Sequence, residues 1–195
     1  HRGHQAVIAA ARRPGLPLGV VTFEPHPRQF FAPDAPAFRL MNAESRANRL
    51  ARLGVDRLYQ LPFAPRLAGM TAADFAQRVL GQGLGVAHVV VGADFCFGKG
   101  RTGTAAQLAE LGRTAGFDTT VLPLIGGEGG AISSSAIRAA LSDGRVRDAP
   151  AMLGHRHRID GPVIHGEKRG RTLNYPTANM ALDGLHLPRF GVYAV

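Results

Sequence analysis

The chain has 195 residues, enough for one full domain and part of a second, or for two small ones. Apolar residues make up 45% and no apolar run is long enough to span a bilayer, so a soluble chain with its own core and no membrane partner is expected. The lone cysteine, Cys96, excludes an intrachain disulfide and fits a cytoplasmic setting. The net charge of +9 comes from scattered arginines without a basic run or interleaved aromatics, which favours polyanionic small molecules over nucleic acid.

The elements alternate along the chain. Helical spacing covers Gln5–Arg13, and Leu18–Phe23 is a short strand. Asn42 caps a helix to Leu53, stopped by Gly54, before a strand at Asp56–Leu61. Thr71 caps a helix through Leu80, and His88–Gly92 is a continuous apolar strand suited to a parallel sheet. Thr104 and Gln107 form a capping box for a helix to Thr114, followed by a strand at Asp118–Leu122. Two short helices follow, Ser134–Leu141 and Arg145–Leu153. Strand–helix alternation predicts an α/β domain with a doubly wound parallel sheet and a ligand at the carboxyl ends of its strands.

Beyond Gly154 the texture changes. Arg158–His165 alternates like an antiparallel strand, then come a Gly/Arg-rich loop, Pro176–Met180 and Gly191–Val195, with no helical signal. The domains expected are therefore 1–154 and 155–195. A doubly wound domain should open with a strand, so the chain reads as cut before His1. The second domain has too few strands to close a barrel and reads as cut at its other end. Unpaired strand edges in such a partial barrel leave association into a homo-oligomer open.

Four stretches carry chemistry. In His1-Arg2-Gly3-His4, at the mouth of a helix, two imidazoles flank a glycine that lets a phosphate approach the backbone. Alone, these residues also read as a metal pair, a tag remnant or solvated surface. In Ile132-Ser133-Ser134-Ser135-Ala136-Ile137-Arg138, the serines cap a helix or bind a phosphate, and Arg138 lies one turn in from Ser135. Glu24-Pro25-His26-Pro27 and Asp94-Phe95-Cys96-Phe97-Gly98 follow strands, and their aromatic rings suit either a core or a planar ring system. Gly166 to Asn179 reads as a hairpin loop holding Gly166, Gly170, Arg171, Thr177 and Asn179.

The first two motifs, in that order, resemble the signatures of the nucleotidylyltransferase superfamily, whose fold is a Rossmann-like parallel sheet. The post-strand stretches resemble prokaryotic FAD synthetases, and the Pro176-Thr177-Ala178-Asn179 region resembles the start of the riboflavin kinase barrel, a small antiparallel β-barrel. The whole chain thus resembles the bifunctional riboflavin kinase/FAD synthetase family of prokaryotes. The resemblance implies adenylyl transfer from ATP to FMN, giving FAD and pyrophosphate, with Mg²⁺ as cofactor, and phosphorylation of riboflavin to FMN by the second domain. It implies catalytic roles for His1, His4 and Arg138, and ATP phosphate binding by Gly3, Ser133, Ser134 and Ser135. It also implies flavin contacts at Pro25, His26, Asp94, Phe95, Phe97 and Gly98. Kinase nucleotide and Mg²⁺ contacts would fall on Gly166, Gly170, Arg171, Thr177 and Asn179, and no structural metal is expected.

Two departures from the family pattern stand out. Asn174 replaces a usual glycine, and asparagine tolerates left-handed backbone angles. His155-Arg156 replaces a usual Arg-Pro, and His155 and His157, lacking further ligands, read as exposed polar residues rather than a metal pair. Three rival readings remain: another nucleotidylyltransferase, a class I aminoacyl-tRNA synthetase fragment, and a basic nucleic-acid-binding module.

Overall fold

The computed structural model describes residues 1–124, 126–127, 130–167, 170, 174–182 and 184–194. The chain forms two compact units, one of His1–Ala35 with Leu50–Ile132, the other of Pro36–Arg49 with Ser133–Val195. The division falls inside the helix Ala43–Arg52.

In the first unit two parallel strand pairs carry the architecture. Gly19–Glu24 pairs with Arg57–Pro62 in a register running from Gly19 opposite Arg57 to Glu24 opposite Pro62. The entry to this pair is clamped where the Leu18 N–H donates to Asp56 Oδ2 at 2.7 Å. His88–Gly92 pairs with Asp118–Leu122, His88 facing Asp118 and Gly92 facing Leu122. Among the described residues no strand joins the two pairs, so the α/β class holds but the four strands form two ribbons instead of one continuous sheet.

The helices begin and end where local chemistry satisfies their free backbone groups. The helix Arg2–Ala10 starts three residues earlier than its apolar spacing indicates, because His1 Nδ1 accepts the His4 N–H at 3.3 Å and caps it. Thr71 caps Ala72–Asp74, which continues without a break as a π-helix, Phe75–Gly83, beyond the expected end at Leu80. The helix Ala105–Ala115 opens on the capping box of Thr104 and Gln107 and closes on Gly116 at φ 87°. Its Gly112 permits close packing, since a Cβ there would lie 2.7 Å from the Phe117 carbonyl.

The core of this unit is built from Phe75, Leu80, Val91, Phe97, Leu108 and Phe117, with Leu108 fully buried. Burial of each such side chain stabilises by roughly 1.5–3 kcal/mol. Val91 is the one buried residue of its strand, so the apolar run His88–Gly92 is half-covered where a central strand would be buried on both faces.

The second unit has its own core of Ile137, Leu141, Ala149 and Leu153, with Leu40, Val146 and Met152 against it. Helix Ser134–Ser142 matches its predicted start. The next helix is shorter than expected, Asp148–Leu153. Pro150 lacks an N–H and must sit in a first turn, while Arg145 is drawn into ion pairs with Asp143 at 3.0 Å and Asp148 at 2.6 Å. Of the predicted strands beyond Gly154, Arg158–His165 contracts to Val163–Ile164 and Pro176–Met180 to Asn179–Met180, which pair antiparallel. Residues 191–194 form no strand. Alternation alone makes no ladder without a partner edge, and among the described residues of these predicted strands two residue pairs find one. Asn42 caps as predicted, accepting the Ser45 N–H at 2.8 Å, and its amide also donates to the Asp160 carbonyl at 3.0 Å.

Candidate functional site

The first phosphate motif folds into a tight cluster. The His1 and His4 rings stack with centroids 3.9 Å apart and planes at 20°. Gly3 sits where a Cβ would lie 3.0 Å from His1 Nδ1 and 3.8 Å from the Ile132 carbonyl, so only a glycine leaves the His1 ring its position. The same contact brings the first residue of the second motif beside the first motif within one unit. Desolvation, the largest cause, pushes the His4 pKa down to about 4, although His4 keeps an exposed surface. His4 is therefore neutral at pH 7, an N–H donor rather than a fixed cation.

The second motif is a capped helix start. Ser133 Oγ accepts the Ala136 N–H at 3.1 Å. Arg138 folds back one turn and donates to Ser135 Oγ at 3.0 Å. It also donates to the Phe38 carbonyl at 3.4 Å, and its guanidinium carbon lies 5.9 Å from the centre of the Phe38 ring. Ser133 is committed to the cap, while Ser134, half-buried, and Ser135, exposed, stand on the first turn with Arg138. A serine-bearing first turn and a folded-back guanidinium are chemically suited to an anion.

The two segments expected to contact flavin are linked through a run of aromatic rings. Phe31 packs on Phe63 at 5.8 Å, Phe63 on Phe23 at 5.7 Å and Phe23 on Phe75 at 6.4 Å. Phe75 meets Phe97 at 5.8 Å, and Phe97 stacks on Phe95 at 5.5 Å. Phe97 is buried and belongs to the core, so the half-buried Phe95 is the accessible ring of its loop. Gly98, at φ 72°, lies where a Cβ would be 2.7 Å from the Ala72 N, so its task is close packing. His26 Nδ1 accepts the Arg28 N–H at 3.1 Å and caps the helix Pro27–Phe31. Asp94 is exposed at a strand end, and Pro25 is half-buried.

Sequence reasoning missed Phe30, Phe31 and Phe63, which cluster at 5.1 to 5.8 Å. Phe31 is 69% exposed. The signal was present: Phe30-Phe31 is the one adjacent aromatic pair in the chain, with two residues between it and the Pro25-His26-Pro27 stretch. A cleft of about 680 Å³, lined by Arg13, His88, Arg113, Asp118 and Thr120 among others, holds none of the predicted site residues. It lies at the amino ends of the strands His88–Gly92 and Asp118–Leu122, opposite to where this class of fold binds ligands.

In the second unit, Gly166 and Gly170 border Thr177 and Asn179. A Cβ on Gly166 would lie 2.1 Å from Asn179 Nδ2, and one on Gly170 would lie 2.2 Å from the Tyr175 carbonyl and 3.2 Å from Thr177 Oγ1. Asn174 adopts φ 55°, the left-handed geometry that suits a glycine or an asparagine. Arg171 lies outside the described residues. His155 and His157, expected to be exposed, are half-buried, and desolvation lowers both pKa values. Among the described residues no three His, Cys, Asp or Glu side chains cluster to hold a metal, and no helix is long and apolar enough to cross a membrane.

Known proteins align with both halves of this arrangement. The riboflavin kinase family matches residues 153–195. The bifunctional riboflavin kinase/FMN adenylyltransferases of Pseudomonas fluorescens and Escherichia coli K12 are 41% and 40% identical over 199 aligned positions, covering all of this chain and 64% of each relative. The corresponding Bacillus subtilis protein is 39% identical. The chain thus spans just under two thirds of the length of these relatives. A solved structure described as a macrolide-efflux protein from Streptococcus pneumoniae superposes with a TM-score of 0.83 at 36% identity, over 99% of this chain and 64% of that one. The FAD synthetase family matches residues 1–136, most of the chain, and the chain belongs to that family.

Proposed function

We propose that the protein makes FAD, transferring the adenylyl group of ATP to FMN and releasing pyrophosphate, and that its second domain phosphorylates riboflavin to FMN. The observation that carries this reading is the Arg138 guanidinium on Ser135 Oγ at a serine-capped helix start. Residues 1–154 are assigned to a Rossmann-like adenylyltransferase domain, supported by the two parallel strand pairs. Residues 155–195 are assigned to the opening of a riboflavin kinase barrel, supported by the antiparallel pair Val163–Ile164 with Asn179–Met180.

A phosphate oxygen of FMN attacks the α-phosphorus of ATP, and the bond from that phosphorus to the bridging oxygen breaks. The electron pair leaves on pyrophosphate. The FMN phosphate is already anionic, so no strong general base is needed. Ser134, Ser135 and Arg138 hold the leaving β- and γ-phosphates. His1 and His4 donate N–H bonds to the α-phosphate oxygens, where charge builds in the transition state. The exposed ring of Phe31 and the half-buried Phe95 and Pro25 offer flat apolar surface for the flavin ring. The substrates are small nucleotides and flavins, and the scattered arginines suit their phosphates.

The kinase residues fit Mg²⁺: a hydroxyl and an amide oxygen, on Thr177 and Asn179, beside two positions without side chains. Bound there, Mg²⁺ would offset phosphate charge. Gly166 and Gly170 keep the cradle open, and Arg171 would add a cation to it.

The test is to supply the full-length protein with FMN, ATP and Mg²⁺ and to read FAD and pyrophosphate by chromatography. Both products appearing together is the expected result. Adenylylation of a different phosphorylated acceptor, with FMN ignored, would overturn the flavin assignment.

A further inference from the structure

Arg138 is held from a direction that its own helix does not explain. Two of its contacts, the Phe38 carbonyl at 3.4 Å and the Phe38 ring at 5.9 Å, come from residues 36–39, far away in sequence. That short segment belongs to no helix and no extended strand of its own, so something must fix it. The structure supplies an answer within the same compact unit. Arg39 forms an isolated parallel bridge with Leu185. The Arg39 N–H donates to the Gly184 carbonyl at 3.3 Å, and the His186 N–H donates to the Arg39 carbonyl at 2.8 Å.

The His186 side chain then closes the circuit. Its Nε2 lies 3.1 Å from the carbonyl of Arg138 itself and 3.1 Å from Ser142 Oγ. Its Nδ1 faces the Ala37 carbonyl at 3.4 Å. A carbonyl oxygen only accepts, so the 3.1 Å contact identifies Nε2 as carrying a proton. The ring thus donates to the backbone of Arg138, while its other edge lies against the backbone next to Phe38, on which the guanidinium rests. The half-buried His186 is locked into this geometry by the burial of its neighbour Leu185.

We infer that His186 is a positioning residue for Arg138, so that the region matching riboflavin kinase sets the geometry of the anion-binding arginine used in adenylyl transfer. The inference rests on the function proposed above, which makes Arg138 an ATP phosphate residue and FMN the acceptor. The role assigned to His186 concerns ATP phosphates alone. It also makes residues 184–186 an internal splint: the backbone pairs with residue 39 while the side chain spans to residues 37, 138 and 142.

The test uses the full-length protein with His186→Ala, His186→Gln, Arg138→Ala and the double variant of Arg138→Ala with His186→Ala. ATP affinity is measured by calorimetry, and the KM for ATP, the KM for FMN and kcat are measured in FAD formation. His186→Ala should weaken ATP binding about fivefold to tenfold, the scale of one lost hydrogen bond to a charged or held group. It should raise the KM for ATP in parallel and leave the KM for FMN unchanged. His186→Gln keeps an N–H donor and should recover most of the loss. The double variant should bind ATP no worse than Arg138→Ala alone.

An unchanged ATP affinity in His186→Ala, alongside a weakened one in Arg138→Ala, overturns the inference. So does a double variant whose losses simply add. Unchanged affinity in both single variants overturns the phosphate site itself. If ATP binding follows the expected pattern while FMN is not adenylylated, the acceptor assignment fails and the role of His186 stands. Riboflavin phosphorylation and the melting temperature of each variant report whether a loss is merely unfolding.

Discussion

The helix beginning at Arg2 and the helix beginning at Ser134 are both nine residues long, and each is capped by the side chain just before it. They differ in what they offer an anion. The first presents two stacked imidazoles, of which His4 is neutral at pH 7 because burial pushes its pKa down to about 4. The second presents serine hydroxyls and a guanidinium that stays charged at any working pH. In the proposed reaction, charge that must be present before the substrate arrives comes from Arg138. Charge that is useful only as the transition state forms suits His4, whose proton affinity rises when phosphate charge comes close.

The largest effect should follow from removing the permanent charge. Arg138→Ala is expected to slow FAD formation by about 100-fold, the low end of the range for single transition-state donors, and His4→Ala by about tenfold, below it. Arg138→Lys should restore only part of the loss, because an ammonium lacks the planar fork that spans two phosphate oxygens. Steady-state rates on the full-length protein decide the matter. A larger loss in His4→Ala than in Arg138→Ala would reverse the comparison, and near-normal rates in both would end it.

A subtler change separates geometry from stability. Gly3→Ala adds a Cβ 3.0 Å from His1 Nδ1 and 3.1 Å from its Cε1. Alanine is a better helix former than glycine by up to about 1 kcal/mol, so the melting temperature should hold or rise. FAD formation should nevertheless fall about fivefold as the His1 ring is displaced. Loss of both stability and activity would mean that the glycine serves the helix and not the ring.

Sequence and structure part company in an instructive way along this chain. Strands His88–Gly92 and Asp118–Leu122 and the capping box of Thr104 were legible to the residue, because each is fixed by neighbours in sequence. The ends of other elements were not. His1 caps a helix with a ring nitrogen, which no standard cap preference signals. The π-helix after Asp74 depends on packing around Phe75 and Leu80 rather than on local propensity. At the candidate site, Ser133 to Arg138 could be read as one turn of a helix, whereas the tie from Phe38 to Arg138 spans a hundred residues and left no periodic trace. Of the expected flavin residues, Phe97, Gly98 and His26 have structural tasks in core, close packing and cap. Phe31, unremarked in the sequence, holds the exposed ring.

The smallest effect tests why the two helix starts differ at all. The ordinary histidine pKa is 6.5, and the folded value for His4 is about 4. Between those values the unfolded chain binds the proton and the folded chain does not, so stability rises with pH through that window. Stability is therefore fully present above pH 6.5, is lost as pH falls toward 4, and loses nothing further from this residue below that. His4 keeps an exposed surface, so the effect is modest: about one or two degrees in melting temperature between pH 7 and pH 5, by comparison with His4→Gln, which cannot titrate there. Pyrophosphate or ATP should shrink that difference if the anion sits near His4, because a nearby phosphate makes protonation of the folded state easier. Arg138→Ala should leave the pH slope of the ligand-free protein as it is, since a guanidinium does not titrate in this range. An identical pH slope in wild type and His4→Gln would mean that the imidazole pair is solvated like any surface histidine, and the division of labour between the two helix starts would have to be argued from Arg138 alone.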